Sequence, residues 1–348
     1  MIKVAINGYG RIGRVAHRVI LQKHTNEIDV VAINAGTSTD LQGWMYLLKY
    51  DSNYGPLHGF ELSVEPNTDT TKTDLLGQLV ISGKKIPVFS QKDPSLLPWA
   101  EFGVDVVVDC TGKLLTKEKA QPHIASGAKG VIMSAPAKDD TPTYVLSING
   151  DKYMGDPIIN NASCTTNCIA PVAKIMEETF GVQKAMMTTI HGYTSDQQLL
   201  DGGHKDYRRA RAAAKNIVPT STGATKAVGK VVPALEGIFN GLSLRVPVPV
   251  GSLSDFTFLL KKDVTKEEVN DAFRTAAASE IYTNILRVTS DPIVSSDIVG
   301  DAHSSIVDLS LTQVVGGNMV KVIAWYDNEW GYSNRLVEEA LMVGKRLQ

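Results

Sequence analysis

The strongest constraint on this chain lies in its first two dozen residues. Ile2–Asn7 is a short apolar run, and Asn7-Gly8-Tyr9-Gly10-Arg11-Ile12-Gly13 follows it directly. Ile12, Val15, Ala16, Val19 and Ile20 then recur at the spacing of one helix face across Arg11–His24. A G-x-G-x-x-G run alone is a weak signal, but here it joins a strand to a helix. Gly8 permits the tight turn, Gly10 lets a pyrophosphate approach the backbone, and Gly13 lets helix and strand pack closely. The helix N-terminus adds free N–H groups and partial positive charge for phosphates. The competing reading is a tight βα turn with no ligand.

Asp29–Asn34 reads as the next strand, which makes a βαβ start. Further strands are expected at Val80–Ser82, Val104–Asp109, Gly130–Ser134 and Pro157–Asn160. The valine-rich 104–108 run suits a strand covered on both faces, as in a parallel, doubly wound sheet. Near residue 163 the character changes. Cys164–Phe180 reads as a helix, and Thr188–Val218 as a long polar, basic stretch that begins within a strand, Lys184–Ile190. Leu242–Val250, Ser252–Leu260, Ser304–Val315 and Met319–Tyr326 read as strands of an antiparallel sheet. Thr265 with Glu268 forms a capping-box signature opening a helix to Ser279, and Asn334–Leu347 is a last amphipathic helix. The fold class is α/β: an N-terminal Rossmann-type doubly wound sheet plus an α+β domain with a mainly antiparallel sheet. No Pro/Gly/Ser linker separates the halves, so close packing is expected.

Composition narrows the function. The 348 residues carry 35 Lys+Arg against 37 Asp+Glu, a net charge of −2. Nothing global therefore draws the chain to nucleic acid or an anionic membrane. No apolar run approaches the ~18 residues of a membrane span, and no signal peptide is visible. Three cysteines suit free thiols in a reducing cytoplasm.

Each thiol is then a candidate nucleophile. Cys164 opens a helix, where the dipole favours thiolate, and His191 lies just after the strand Lys184–Ile190, from where it could reach Cys164. Against this stand the ordinary readings of a buried, inert cysteine and a satisfied histidine. Cys164 and Cys168 lack a further Cys/His pair, so no metal site is expected. Cys110 reads as packing within a strand. The basic run His204–Arg211, the hydroxyls of Pro219–Gly223 and Arg245 suit a phosphate-bearing substrate. At the end of the second strand, about 22 residues past Gly13, an acid would bind an NAD ribose. Ala35 stands there instead, with Asn34 before it, so the repulsion against a 2′-phosphate is missing.

Several of these segments closely resemble the glyceraldehyde-3-phosphate dehydrogenase family. They are Ala5–Arg14, Leu48–Ser52, Ser134–Pro136, Asn161–Cys168, Ser221–Ala224, Arg245–Pro247 and Trp325–Arg335, in the family's order across nearly the whole chain. The resemblance implies Cys164 as nucleophile and His191 as its base, with a thioester opened by inorganic phosphate. It implies that Ser163, Thr165, Arg208, Thr222 and Gly223 line the attacking-phosphate site, and that Thr194 and Arg245 hold the C3 phosphate of glyceraldehyde 3-phosphate. Arg11, Ile12, Thr111 and Ser134 would line the cofactor cleft and Asn328 would fix the nicotinamide carboxamide. It also implies a homotetramer. Three departures favour NADP beside NAD: Ala35 for the usual acid, Gly202-Gly203 for the usual Leu-Pro, and Lys92 where an arginine is frequent. The expected division is 1–163 dinucleotide-binding, 164–330 catalytic, and 331–348 a helix packing back on the first domain. Erythrose-4-phosphate dehydrogenase, a cysteine hydrolase and a non-catalytic cofactor-binding interaction protein are the alternatives.

Overall fold

A computed structural model describes residues 1–347. They fall into two compact units: residues 1–144, 152–161 and 333 onward in the first, and 145–151 with 162–332 in the second. Gln348 of the expected last segment lies outside the described residues.

The first unit is built on one eight-stranded sheet. Strands β1 (Ile2–Asn7) and β2 (Ile28–Asn34) are joined by helix α1 (Arg11–Lys23); helix α2 (Leu41–Lys49) follows, then a two-strand ladder of β3 (Tyr50–Asp51) and β4 (Gly55–Pro56). Next come β5 (Leu62–Pro66), β6 (Leu75–Ile81), β7 (Lys84–Phe89), the short helix α3 (Trp99–Phe102), β8 (Val106–Asp109), α4 (Lys117–Ala125), β9 (Gly130–Met133) and β10 (Ile158–Asn160). The order is β10-β9-β8-β1-β2-β7-β6-β5. The first six strands run parallel, but β6 and β5 fold back as an antiparallel meander. Of the expected Val80–Ser82, Val80 and Ile81 thus end a longer antiparallel strand, and Ser82 stands in the turn after it. A two-residue turn joins β6 to β7, too short for the crossover that parallel pairing needs.

The parallel core strands have no exposed face. Val4, Ile6, Val106, Val107, Val131 and Ile132 are all inaccessible to solvent. Chain order reverses between β1 and β8, whose ends pair Asn7 with Asp109. Ligands of open α/β sheets bind outside the strand C-termini at such a reversal.

The second unit opens with helix α5 (Leu146–Asn149) and α6 (Cys164–Phe180), followed by β11 (Val182–Gly192), β12 (Val218–Ser221), α7 (Ala224–Val231), β13 (Phe239–Val246) and β14 (Ser252–Leu260). Helix α8 (Lys266–Ala277), β15 (Leu286–Thr289), β16 (Ser305–Asp308), β17 (Gln313–Val315) and β18 (Met319–Tyr326) complete it. Helix α9 (Trp330–Leu347) begins here and continues into the first unit, where Gly344 lies against Ile2. The sheet is mixed. β11 with β13 and β15 with β16 are parallel, and the other pairings are antiparallel. The expected strand 304–315 is broken by a 3₁₀ turn at Leu309–Leu311, where Asp308 caps the Ser310 N–H. The capping box on α8 is present as expected. In β14 the alternation of buried and half-buried residues puts Phe256 and Phe258 into a core shared with α6 and α8.

Candidate active site

Helix α6 starts one residue after Ser163. The Ser163 hydroxyl accepts from the Thr166 N–H at 3.1 Å, so the helix is capped and Cys164 is its first residue. Ala162, just before, is held at φ 49°, a left-handed conformation that costs a side-chain-bearing residue about 1–2 kcal/mol. The tertiary structure fixes this turn in a strained shape, and the Cys164 thiol stands directly after it.

β11 carries the partner. It extends to Gly192, so His191 is within the strand rather than beyond it, registered against Arg245 on β13. Cys164 Sγ lies 3.4 Å from His191 Nε2. His191 Nδ1 lies 2.6 Å from the Gly192 carbonyl, which can only accept. The imidazole proton therefore stays on Nδ1, and Nε2 offers a lone pair to the thiol. Tyr326 locks the ring from the side, edge-on at 6.0 Å. Its hydroxyl bonds Thr165 (2.9 Å) and Thr189 (2.8 Å), tying α6 to β11.

Electrostatics set the resting state. Burial pushes the Cys164 thiol up; the Arg245 charge and the Thr165 hydroxyl pull the other way. Burial, and then Arg245, hold His191 down at about 3, against the pull of the Gly192 carbonyl. Burial thus disfavours charge on both members of the pair, and the helix dipole at Cys164 works against it.

Arg245 Nη1 lies 3.3 Å from His191 Nδ1 and donates to Thr194 Oγ1 at 3.2 Å, so Thr194 and Arg245 come together beside the pair. Asn328 is buried, and its carboxamide oxygen accepts from Gly251 N–H (3.1 Å) and the Ser252 hydroxyl (2.8 Å). That fixes which way its NH2 group points. Thr222 caps the Ala224 N–H at 3.2 Å, with Gly223 as N-cap of α7. Arg208 is not drawn into this group. It lines a separate cavity with Thr220 and Ser221, while its neighbour Arg209 pairs with Asp196 and bonds Thr220. Cys168 is fully buried, its thiol 3.8 Å from the Ser305 hydroxyl and pushed up to about 12.

In the first unit a cavity of about 290 Å³ lies at the strand-order reversal, lined by Gly8, Gly10, Asn34, Ala35, Lys92 and Thr111 among others. Gly8 has φ +92°, and a Cβ there would meet the Cys110–Thr111 backbone at 2.8 Å. A Cβ on Gly13 would strike the Gly8 carbonyl at 2.2 Å, whereas one on Gly10 would meet open space. Gly10 is the N-cap of α1 and supplies no side-chain cap. A phosphate pair fits this opening: a helix start without a side-chain cap, bare backbone, and a wall with Lys92 and Lys113 and no carboxylate. Ile12, Gly13 and Ser134 are not among its lining residues, and the Arg11 guanidinium is turned to Asp51 at 2.6 Å. Cys110 stands one residue beyond β8 and lines the cavity instead of packing in a strand.

Beneath the cavity lies a buried network that sequence reasoning missed. Trp99 Nε1 donates to His123 Nδ1 (2.8 Å), which leaves the His123 proton on Nε2, 3.5 Å from Asp109. Asn7 donates to Asp109 (2.6 Å), Asn34 donates to Asn7 (2.7 Å), and Asp109 Oδ1 accepts from the Thr111 hydroxyl (2.7 Å). Polar residues closing apolar strands, Asn7, Asn34 and Asp109, were the available signal.

Comparison with known proteins settles the family. Residues 2–117 match the model described as glyceraldehyde 3-phosphate dehydrogenase, NAD binding domain, and residues 163–328 match the C-terminal domain model of the same name. The chain belongs to the glyceraldehyde-3-phosphate dehydrogenase family. It is 49% identical over 350 residues to glyceraldehyde-3-phosphate dehydrogenase 2 of Streptomyces avermitilis, covering 99% of both chains. It is 50% identical over 351 residues to the Mycobacterium avium dehydrogenase, again 99% of both. It is also 50% identical over 343 residues to chloroplastic GAPA1 of Arabidopsis thaliana, covering 98% of this chain and 83% of that one. As a member it is an NAD(P)-dependent oxidoreductase. None of its helices, among the described residues, is long and apolar enough to cross a membrane.

Proposed function

We propose that this chain catalyses the reversible, phosphorylating oxidation of D-glyceraldehyde 3-phosphate to 1,3-bisphosphoglycerate. The observation that carries the reading is the 3.4 Å approach of Cys164 Sγ to His191 Nε2, with Arg245 and Thr194 joined beside it. Cys164 attacks the aldehyde carbon, and its proton passes to Nε2 and on to the carbonyl oxygen, giving a thiohemiacetal. His191 takes the hydroxyl proton as the C–H bond breaks. A bound nicotinamide supplies the hydride acceptor. The thioester left on Cys164 is opened by inorganic phosphate, and the sulfur is released. Arg245 and Thr194 hold the C3 phosphate, a bidentate task suited to a guanidinium. Thr165, Thr222 and Gly223 receive the attacking phosphate, with Ser163 serving chiefly as the helix cap and Arg208 at its margin. The Asn328 NH2 group, oriented by Ser252 and Gly251, meets the nicotinamide carboxamide. The first domain, 1–163, carries the cofactor, and 164–330 the chemistry.

NADP is used as well as NAD. Ala35 and Lys92 line one cavity, so a 2′-phosphate there meets a cation and no anion. Ala35→Asp is expected to shift the NADP-to-NAD ratio of kcat/KM toward NAD by about tenfold or more. A strong NAD preference in the unsubstituted chain rejects this reading. The exposed side chains of Leu199, Leu200, Tyr207, Ile217 and Leu242 support assembly into a homotetramer, and the free thiols support a reducing, cytoplasmic setting.

The deciding assay mixes protein, glyceraldehyde 3-phosphate, NADP or NAD, and phosphate, and follows the reduced nicotinamide band. Formation must require phosphate. Turnover without it assigns a hydrolytic outcome, as in erythrose-4-phosphate dehydrogenase.

A further inference from the structure

The cation of the cofactor cavity stands on a clamped segment. Lys92 lines that cavity together with Ala35. The residue before it, Gln91, is gripped at both backbone groups by one side chain. Asn34 Oδ1 accepts from the Gln91 N–H at 3.0 Å, and Asn34 Nδ2 donates to the Gln91 carbonyl at 2.8 Å. The Gln91 side chain in turn holds the residue after Lys92: its Oε1 accepts from the Asp93 N–H at 2.8 Å, while its NH2 group donates to Asp74 at 2.8 Å. The backbone is therefore held on both sides of Lys92.

The clamp is anchored in the sheet. Asn34 Nδ2 also donates to Asn7 Oδ1 at 2.7 Å, and Asn7 donates to the buried Asp109 carboxylate at 2.6 Å. A carboxylate only accepts, so the run Asp109–Asn7–Asn34–Gln91 has one direction. It crosses from β8 through β1 to β2. Asn34 is buried, and both hydrogens of its NH2 group are spent on Asn7 and Gln91. Its side chain has no donor left for a ribose hydroxyl.

We propose that Asn34 is a positioning residue for cofactor choice: it holds the 91–93 segment so that Lys92 meets the 2′-phosphate of NADP. The proposal rests on the reading above that Lys92 receives that phosphate. A lysine on a free loop loses backbone as well as side-chain freedom when it takes hold of a ligand. On a segment already held, the backbone part of that cost is met at folding. NAD has no 2′-phosphate and gains nothing from the arrangement.

The test is a double-mutant cycle on the full chain, read as the NADP-to-NAD ratio of kcat/KM. Lys92→Met should lower the ratio about tenfold, the worth of a hydrogen bond to a charged group. Asn34→Leu removes the clamp and should lower the ratio about threefold or more by raising the KM for NADP. In the Lys92→Met background it should change the ratio no further. Amide exchange at Gln91 and Asp93 should quicken in Asn34→Leu. In the unsubstituted chain both amides should be protected before any cofactor is added, a check that stands even where a variant fails to fold. An unchanged ratio in Lys92→Met removes the phosphate reading and the proposal with it. Where Lys92→Met does lower the ratio, three results overturn the proposal alone: Asn34→Leu raising KM equally for both cofactors, as a direct ligand would; an Asn34→Leu effect on the ratio that persists without Lys92; or amides protected only once NADP is bound.

Discussion

Two helices of this molecule begin at strand ends, and they begin in opposite ways. α1 starts at Gly10, which has no side chain to offer its first N–H groups, and a Cβ there would meet nothing within 4 Å. α6 starts at Ser163, whose hydroxyl closes the helix onto the Thr166 N–H. An open terminus keeps its donors for an anion that comes and goes. A closed terminus spends a donor internally and holds one residue, Cys164, in a fixed position for chemistry. In the proposed reading the same backbone feature serves binding in one unit and covalent attack in the other, according to the residue at the cap.

The sharpest way to break this contrast is Cys164→Ser. Dehydrogenase turnover should fall roughly 10⁴-fold or more, as for loss of a nucleophile, while cofactor affinity measured by fluorescence titration stays unchanged. A matching loss of cofactor binding would mean that the two termini are not separate devices. The converse change is Gly10→Asp, which gives α1 a carboxylate cap. It should weaken cofactor binding about tenfold to a hundredfold, the worth of displaced charge-assisted hydrogen bonds. Alkylation of Cys164 by iodoacetamide should proceed as before.

Each unit also buries a histidine that is held down at about 3, chiefly by desolvation: His17 in the first and His191 in the second. In the unfolded chain they titrate near 6.5. Between those values the unfolded state binds more protons than the folded one, so stability rises with pH there. It is fully present above about 6.5 and lost on acidification, by up to about 1.4 kcal/mol per pH unit for each histidine. Thermal midpoints measured from pH 7 to 4.5 should fall accordingly. His17→Gln should remove about half of that slope; an unchanged slope would place the effect elsewhere. The smallest effect sharpens the cap itself. Ser163→Ala should cost about 1 kcal/mol in denaturant unfolding and lower kcat more than it raises the cofactor KM.

Legibility was uneven for physical reasons. α6, β14 and β18 have the bounds that their apolar spacing and turn residues imply. Such signals are local, and a capping serine or an alternating strand carries its own instruction. In the meander β5–β7, β5 was missed because it is largely exposed, with no clean apolar face, and of the rest only the end of β6 was read although Leu79, Ile81, Ile86 and Val88 are buried. The site divides along the same line. Gly8, Gly10 and Cys164 announce themselves by their surroundings in sequence. Tyr326, bonded to Thr165 across 161 positions, and Asp109, bonded to Asn7 across 102, do not.

What the residues alone determined is the set of local devices: a bare helix start behind an apolar strand, a capped start bearing a thiol, and an alanine where an acid would repel a 2′-phosphate. These follow from steric freedom, hydrogen-bonding capacity and charge, which each residue carries with it. Only the tertiary structure decided that Nε2 of His191 faces that thiol, that Arg245 stands beside the imidazole, and that burial raises the thiol while holding the imidazole down. Proton affinity in a buried site depends on what the surrounding chain removes from water, and distant segments must meet before that is fixed.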